Sequence, residues 1–234
     1  MNLSAREEHL AELMDDPDCD PVLLQRTLRR FDIVNRAVAG WGAVYRARLR
    51  PALAAAGDGT ARILDIGCGG GDVLRRLVRY ARRDGLVVEG LGIDPDPRAI
   101  AAAQLEPESG VHYRRTDSTA LVAGGERFDI VVSNHLLHHL DRPGLDRLIA
   151  DSEALSGLMC VHSDIARSRA AYALFGIAAA PLAPGSFIRV DGLRSIRRSY
   201  TAPELAARLP PGWGVERIPP FRLLAVRAFA GAAP

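Results

Sequence analysis

One short stretch, residues 63–72 (ILDIGCGGGD), constrains the fold more than any other part of the sequence. An apolar run at 63–66 has the composition of a buried strand and leads directly into glycines at every second position, Gly67, Gly69 and Gly71. Glycine tolerates positive φ and lets another molecule lie against the backbone without interference from a Cβ atom. The stretch therefore predicts a strand, a tight turn and a helix N-terminus, with a ligand against the turn.

A dinucleotide is the obvious alternative ligand for such a turn. The dinucleotide-binding fingerprint requires a third glycine five positions after the first. Counted from Gly67, that position holds Asp72. The spacing therefore argues against a nicotinamide dinucleotide site. The residues beyond the turn are needed to identify the ligand.

Beyond the turn, the sequence alternates between apolar runs and helical patterns. Strands are predicted near 62–66, 86–93, 111–115, 128–133 and 157–163, with helices between them. This alternation predicts a parallel sheet covered by helices on both faces. The end of the chain differs, because the apolar runs at 214–218 and 221–229 are joined by two prolines and predict a closing pair of adjacent strands.

Two acidic residues extend the pattern of the glycine turn. The spacing D-x-G-x-G-x-G, which begins at Asp65, resembles motif I of the class I S-adenosylmethionine-dependent methyltransferases, whose glycine loop curls around the methionine part of the cofactor. Asp94, followed by Pro95, closes the second predicted strand and matches motif II. A carboxylate here can accept two hydrogen bonds and suits the vicinal diol of a ribose. The alternative is that Asp94 caps a helix that begins near Pro95.

Two further segments match the same family in the same order. The resemblance places Asp117, with its neighbour Ser118, near the adenine amino group of the cofactor. Residues 128–135 open with Phe-Asp and resemble motif IV, which implies that Asn134 contacts the cofactor. Together these motifs imply S-adenosylmethionine as the cofactor. They also imply an α/β fold with a doubly wound, seven-stranded, mostly parallel sheet whose last strand is antiparallel.

Residues 1–57 precede this core and are predicted to form an N-terminal helical cap. A first helix is expected over 4–14, and a second is expected to begin with Asp20 and Pro21 in the cap and first-turn positions. The boundary is placed at the flexible Gly-Asp-Gly sequence that follows. Residues 58–234 are then expected to form the cofactor-binding domain.

Two segments outside the cofactor fold are predicted to cover the acceptor. Residues 165–199 form an insertion far longer than the usual connection of roughly 2 to 6 residues, and they follow a strand end where ligands of α/β sheets bind. This insertion is therefore expected to be a substrate lid. The aromatic residues expected to contact the acceptor are Trp41, Tyr45, Tyr172, Phe175 and Phe187. Core packing is an equal alternative for Trp41 and Tyr45, and a dimer contact is the alternative for the insertion, so the chain is expected to be a monomer or a homodimer.

Composition excludes several classes of function. All 30 basic residues are arginine, so chemistry that needs a lysine base or a lysine Schiff base is impossible. The formal net charge of +2 is small, and the arginines at 75, 76, 79, 82 and 83 are expected to form a solvated helix face, so no nucleic-acid partner is expected. Three scattered cysteines predict thiols rather than disulfides or a zinc site. Without an apolar run of about 18 residues, the chain is expected to be cytoplasmic and to have no membrane partner.

Histidines gather at the ends of the fourth and fifth predicted strands. His135, His138 and His139 follow the fourth strand, and His162 ends the fifth strand two residues before Asp164. A histidine within hydrogen-bond reach of a phenolic acceptor can take up its proton. The predicted catalytic residues are His135 as the preferred base, His139, which resembles a packing position of many family members, and His162 as a reserve base oriented by Asp164. No metal is expected at the first three histidines, because the metal-dependent methyltransferases used for comparison have oxygen ligands.

These inferences combine into one predicted function. The chain is expected to transfer a methyl group from S-adenosylmethionine to a small, flat, largely apolar aromatic acceptor, and it resembles small bacterial quinone-biosynthesis and polyketide-tailoring methyltransferases. O-methylation assisted by a histidine base is the preferred reaction. The alternatives are C-methylation of a quinol-type ring, or a cofactor-binding protein that uses the bound sulfonium for another purpose or does not catalyse at all.

Overall fold

The architecture rests on one seven-stranded sheet, and the computed structural model describes residues 3–55, 57 and 59–229. The strands in chain order are β1 (Ala61–Ile66), β2 (Val88–Asp94), β3 (Val111–Arg115), β4 (Phe128–Asn134), β5 (Ser156–Ile165), β6 (Gly214–Ile218) and β7 (Arg222–Ala228). Their spatial order is β3-β2-β1-β4-β5-β7-β6. The pairs among β1 to β5 are parallel, whereas β7 is antiparallel to both β5 and β6. The predicted sheet, with its antiparallel last strand, is confirmed.

Helices cover both faces of this sheet. Before β1 the chain forms α1 (Pro21–Val38), α2 (Trp41–Val44), a π-helical turn (Tyr45–Leu49) and α3 (Arg50–Ala55). Between the strands lie α4 (Asp72–Arg83), α5 (Pro97–Gln104), α6 (Ser118–Ala123), a 3-10 turn (Leu137–His139) and α7 (Arg142–Leu155). The segment after β5 contains α8 (Arg169–Ala178), a 3-10 turn (Ala180–Leu182), α9 (Ile188–Arg198) and α10 (Ala202–Ala206). Among the described residues, no helix is long and apolar enough to cross a membrane.

Neighbouring residues of β1 pack on opposite faces of the sheet, as the period of a strand requires. Ile63 belongs to a buried cluster with Leu74 and Val78 of α4. Leu64 belongs to a second cluster with Leu145 of α7. Because both faces are occupied by apolar packing, the polar groups that could bind a ligand lie at the ends of the strands.

The first predicted helix, over residues 4–14, is wrong. Residues 3–19, called the N-terminal segment below, contain no helix. Their backbone instead bonds to distant parts of the chain: the N–H groups of Leu13 and Met14 donate to the Asp191 carboxylate at 2.8 and 3.0 Å. Tertiary hydrogen bonds thus satisfy backbone groups that a helix would have paired locally, and they override the amphipathic pattern. The second helix, α1, begins as predicted with Asp20 as its cap.

The arginines of α4 do not form a uniformly solvated face. Arg75 is buried, where its Nη1 donates to the Gly70 carbonyl at 2.8 Å and its Nη2 bonds to Glu106 at 2.9 Å. The expectation for this residue was therefore wrong, because a helix that packs on the glycine loop needs donors for the carbonyls of that loop. The predicted domain boundary at residues 57–59 lies partly outside the described residues.

Candidate active site

The turn after β1 consists of glycines with positive φ. The angle is +68° at Gly67, +52° at Gly69 and +75° at Gly71, in agreement with the sequence-based expectation. A Cβ atom on Gly71 would lie 2.3 Å from the Tyr113 hydroxyl oxygen. On Gly69 it would meet no heavy atom of the described residues within 4 Å. Gly71 is therefore required by packing, whereas Gly69 borders open space in which a ligand can lie.

Asp94 closes β2 and faces the glycine loop. Its Oδ2 accepts the Gly69 N–H at 3.1 Å, and its Oδ1 accepts the Asp96 N–H at 2.9 Å. Asp96, rather than Asp94, caps α5, because its side chain accepts the N–H of Arg98 at 2.7 Å. The cap alternative for Asp94 is therefore wrong. Its carboxylate borders the cavity described below, at the strand end where the ribose was expected.

Asp65 is a buried carboxylate with an incomplete set of partners. Its Oδ1 has no hydrogen-bond partner among the residues described. Burial, together with the negative charges of Asp72 and Asp94, raises the pKa of Asp65 well above its ordinary range. A positive charge would supply the missing partner, whereas a pyrophosphate would meet three carboxylates. The ammonium and sulfonium charges of S-adenosylmethionine fit this arrangement.

These groups line a cavity of about 260 Å³. Its polar lining includes Asp65, Asp94, Asn134 and residues 67–70 of the glycine loop. Its apolar lining includes Leu24, Leu28 and Phe31 of α1, Phe175 of α8 and Ile188 of α9. Charged and apolar groups around one cavity suit a charged cofactor beside a small apolar acceptor.

The predicted aromatic residues of the cap lie in the core. Trp41 is buried, and its indole N–H donates to Asn134 Oδ1 at 3.1 Å. Tyr45 is also buried, and its hydroxyl donates to Asp84 at 2.9 Å, just beyond the end of α4 that is remote from the glycine loop. The structure therefore supports core packing for both residues, and Trp41 contacts the site through its hydrogen bond to Asn134.

Other predicted contacts divide between the cavity and its surroundings. Phe175 borders the cavity, as expected of a lid residue. The other predicted contacts that do not border it are Gly71, Pro95, Asp117, Ser118, Tyr172 and Phe187. Asp117 caps α6, and the Ser118 hydroxyl donates to a buried carboxylate of α7. The geometry gives these two residues a structural role and offers no support for a contact with adenine.

Asn134 and His135 lie at the end of β4 and are held by the buried Arg222 of β7. Arg222 Nη2 donates to Asn134 Oδ1 at 2.6 Å, and Arg222 Nη1 lies 2.7 Å from His135 Nε2. Because arginine only donates, Nε2 is the acceptor, and the proton of the neutral imidazole is assigned to Nδ1. Burial and the charge of Arg222 hold the pKa of His135 well below its ordinary value. His135 thus borders the cavity, but the lone pair that a base needs is already engaged.

His138 lies buried between two carboxylates. Its Nδ1 is 2.7 Å from Asp164 Oδ1, and its Nε2 is 3.3 Å from Glu12 Oε1. The adjacent His139 turns its Nδ1 toward Asp15 Oδ2 at 3.2 Å and its Nε2 toward the same Glu12 oxygen at 3.8 Å. Both histidines border the cavity. The N-terminal segment therefore contributes two carboxylates to the site.

His162 lies away from the cavity. Its Nδ1 is 2.8 Å from Ser133 Oγ, and its ring stacks on Trp213 at a centroid distance of 5.4 Å. Burial lowers the pKa of His162 to about 3. Asp164 bonds to His138 and not to His162, so the prediction of a reserve base oriented by Asp164 is corrected.

Three residues of this site were missed in the sequence. Glu12 belongs to a pattern that reads as an ordinary amphipathic helix, and Arg222 is one of many arginines, so neither carries a local signal. His138 belongs to the same histidine cluster, but His135, His139 and His162 were the predicted catalytic residues. The signal for it was the pairing of that cluster with a carboxylate, Asp164, that ends the neighbouring strand.

Comparisons with known proteins agree with this geometry. Residues 63–155 match a family model described as a methyltransferase domain. The ubiquinone biosynthesis O-methyltransferase of Cereibacter sphaeroides is 37% identical over 117 residues, which are 48% of this chain and 44% of that protein. The enzyme of the same name from Roseobacter denitrificans is 35% identical over 117 residues, with the same coverage of both chains. The matched stretch thus spans less than half the length of either relative.

Solved structures extend the likeness to most of the chain, at the level of the fold. The plantazolicin methyltransferase BpumL, in complex with S-adenosylhomocysteine and a substrate analogue, has a TM-score of 0.55 and 15% identity over 88% of this chain and 95% of that one. The plantazolicin methyltransferase BamL has a TM-score of 0.57 and 15% identity over 84% and 76%. Residues 63–155 thus match the methyltransferase domain family, and most of the chain shares the fold of these solved methyltransferases.

Proposed function

We propose that this chain transfers the methyl group of S-adenosylmethionine to an oxygen atom of a small, flat, largely apolar acceptor such as a phenol or a quinol. The observation that carries the proposal is the cavity of about 260 Å³, whose lining combines carboxylates with apolar side chains. The relatives matched over the cofactor-binding region are named as O-methyltransferases, which favours oxygen as the methylated atom.

The carboxylates of the cavity lining would hold the cofactor. The unpartnered Asp65 oxygen would pair with a positive charge, Asp94 would accept hydrogen bonds from ribose hydroxyls, and Gly69 leaves room beside the backbone. When bound, S-adenosylmethionine supplies an activated methyl group. The task of the protein is then to hold the acceptor atom about 3 to 3.5 Å from the methyl carbon and in line with the breaking bond.

The apolar side chains of the cavity lining would hold the acceptor ring. Its lining residues come from α1, α8 and α9, which lie outside the sheet, and include Phe31 and Phe175. Such a surface excludes water and favours a planar apolar ring over a peptide or a nucleic acid. The helices α1, α8 and α9 would thus determine the specificity for the acceptor, while residues at the ends of the strands would bind the cofactor.

Three histidines border the same cavity. His135 would donate its Nδ1 proton to the acceptor oxygen and so position it, since its Nε2 already accepts from Arg222. The rings of His138 and His139 would lie beside the same acceptor. This assignment differs from the expected base role of His135.

A binding experiment tests the cofactor. Calorimetric titration should show binding of S-adenosylmethionine and its demethylated product, and none of NAD. Asp94→Asn should weaken the affinity by roughly 10- to 100-fold, because hydrogen bonds to a charged group contribute about 1.5 to 3 kcal/mol. Asp117→Asn, which removes a carboxylate outside the cavity, is the matched control and should bind normally. Wild-type affinity in both variants would contradict the assignment.

A product experiment tests the reaction. The chain is incubated with S-adenosylmethionine carrying an isotopically labelled methyl group and a panel of phenols and quinols, and the products are analysed by mass spectrometry and NMR. We expect one labelled methyl group on oxygen. A label on ring carbon would support the C-methylation alternative. Tight cofactor binding without transfer to any panel member would overturn the proposed reaction but not the proposed cofactor.

A further inference from the structure

Three potential metal ligands converge beside the cavity, outside the predicted cofactor contacts. One potential ligand atom from each of Glu12, His138 and His139 lies within 4.8 Å of the others. Glu12 Oε1 is 3.3 Å from His138 Nε2 and 3.8 Å from His139 Nε2. In a tetrahedral zinc site with bond lengths of about 2.0 to 2.1 Å, ligand atoms are roughly 3.4 Å apart. The two measured separations are therefore within about half an ångström of this spacing.

The orientation of both imidazoles is fixed from behind. His138 Nδ1 is 2.7 Å from Asp164 Oδ1, and His139 Nδ1 is 3.2 Å from Asp15 Oδ2. A carboxylate on the far ring nitrogen is the arrangement that selects the tautomer with a lone pair on Nε2, and metal-binding histidines have such a partner almost always. Two histidines that both carry this partner, and that both turn Nε2 to one carboxylate, form a complete set of inner and outer contacts for a metal.

A second observation points to a ligand at this place. His138 Nε2 is buried and has no hydrogen-bond partner of suitable geometry among the described residues. Buried polar atoms are nearly always satisfied, so an unpaired nitrogen in an otherwise well-bonded cluster requires an explanation. A metal ion that accepts the Nε2 lone pair provides one.

The local charge also suits a cation. Glu12, Asp15 and Asp164 place three carboxylates around the two rings. Two guanidiniums oppose them. Arg198 Nη1 lies 3.9 Å from Glu12 Oε1 and 3.6 Å from Asp15 Oδ2, and the charge of Arg222 acts on Asp164. Among the described residues, the three carboxylates outnumber these two guanidiniums.

From these contacts we propose that Glu12, His138 and His139 bind one divalent transition-metal ion, with zinc favoured by the donor set. Two imidazoles and one carboxylate suit zinc and related ions, whereas magnesium and calcium prefer all-oxygen sites. Three protein ligands leave a coordination position open toward the cavity, which all three residues border. This proposal departs from the sequence-based expectation of no metal, because the decisive ligand, Glu12, comes from a segment far away in the sequence.

The consequence for the reaction rests on the proposed function. An acceptor oxygen that takes the open position would lose its proton more readily, because a bound cation lowers the pKa of a coordinated hydroxyl group. The proton would pass to water at the cavity mouth. Binding of the metal itself, by contrast, is argued from the donor atoms alone.

The test measures metal binding without cofactor or acceptor. The full chain, free of any affinity tag and treated with a chelator, is titrated with zinc by calorimetry, and its cobalt-loaded form is examined by visible absorption. We expect one zinc per chain and a cobalt spectrum of low coordination number without a thiolate charge-transfer band. His139→Gln should weaken zinc binding at least as much as loss of an outer-sphere partner does, roughly 10- to 100-fold. His139 is chosen because its half-buried ring can be replaced with less risk to folding than that of His138.

The matched control is His112→Gln, which removes an exposed histidine on β3. It should bind zinc as the wild type does, and circular dichroism should show both variants folded. The proposal is overturned if the wild type binds no stoichiometric zinc, if His139→Gln binds as tightly as the wild type, or if cobalt reports a cysteine ligand. Zinc binding without methyl transfer would support the metal site and reject the proposed function. Methyl transfer by a chain that takes up no metal would support the proposed function and reject the metal site.

Discussion

Gly69 and Gly71 share a positive φ, but the structure needs them for different reasons. Gly71→Ala should lower the thermal stability, because its Cβ would lie 2.3 Å from the Tyr113 hydroxyl oxygen. Gly69→Ala should retain the fold at the cost of left-handed strain of about 1 to 2 kcal/mol, but its Cβ would occupy the ligand's space and sharply reduce S-adenosylmethionine affinity. Thermal unfolding and calorimetric titration separate the two effects.

Gly125→Ala is the matched control for this pair. Gly125 has φ of +68° and open space around its missing Cβ, and it lies outside the cavity. It should show the strain of Gly69→Ala without the loss of binding. Normal binding by Gly69→Ala would mean that no cofactor lies against the loop.

His135 provides a second prediction at this scale. His135→Asn keeps a residue type that tolerates its φ of +58° and removes the imidazole. Because Arg222 occupies the Nε2 lone pair, we expect turnover to fall by less than the roughly 10² to 10⁴ typical of a lost general base, with no inflection near the ordinary histidine pKa of about 6.5. Turnover is compared for phenols of different acidity, with His112→Asn as the control.

A different result would show that His135 removes the proton. Turnover would then fall by roughly 10² to 10⁴ for a weakly acidic phenol and hardly at all for an acidic phenol. In that case Arg222 would have to move away from Nε2 when the acceptor binds.

Individual elements were predictable where the deciding contacts are local in sequence. The alternation of strands and helices, the glycine loop and Asp94 depend on residues within a few positions of one another, and each was placed correctly. The alternative that Asp94 caps the next helix was wrong by two residues, because Asp94 and Asp96 both precede a proline and sequence alone does not show which of them caps α5.

Elements that depend on distant partners were not predictable. The N-terminal segment forms no helix because its backbone bonds to α9, about 180 positions away in the chain. The engagement of His135 was invisible for a related reason, since Arg222 reaches it from β7. Local periodicity contains no information about such pairings.

The attachment of the N-terminal segment can be tested through Asp191. Its carboxylate accepts both the Leu13 and the Met14 N–H, whereas the amide of Asp191→Asn offers one oxygen and turns an NH₂ group toward the other donor. The loss of one such bond costs about 1 to 3 kcal/mol locally. We expect faster hydrogen exchange across residues 3–19 and a higher KM for the acceptor, with cofactor affinity close to that of the wild type.

Asp129→Asn is the control for this change, because it alters a carboxylate that also accepts a backbone N–H, that of Arg62, but lies at the amino end of β4, opposite the strand ends that border the cavity. Its exchange over residues 3–19 should match the wild type. Unchanged exchange in Asp191→Asn would mean that other contacts, such as the Arg197 pair with Glu7, hold the segment in place.

At the scale of the whole molecule, overall charge and local charge differ in sign. The chain has a formal net charge of +2, yet its cavity is bordered by the carboxylates of Asp65, Asp72, Asp94 and Asp96. Folding therefore concentrates acidic groups at the carboxyl ends of β1 and β2 and leaves most of the arginines elsewhere. The cavity should select cationic ligands although the protein as a whole is weakly basic.

This charge arrangement predicts a pH dependence of cofactor binding. The pKa of Asp65 is raised by burial and by neighbouring carboxylates, so this group takes up a proton as the pH falls toward its raised pKa. The protonated group no longer attracts a cation, and affinity for S-adenosylmethionine should therefore decrease as the pH is lowered from alkaline to acidic values. The demethylated product lacks the sulfonium charge and should show a smaller decrease. Calorimetric titrations across this range, repeated with Asp65→Asn, measure both slopes: the variant should bind more weakly at high pH and lose much of the dependence. An affinity that is independent of pH in the wild type would mean that Asp65 does not pair with the positive charge of the cofactor.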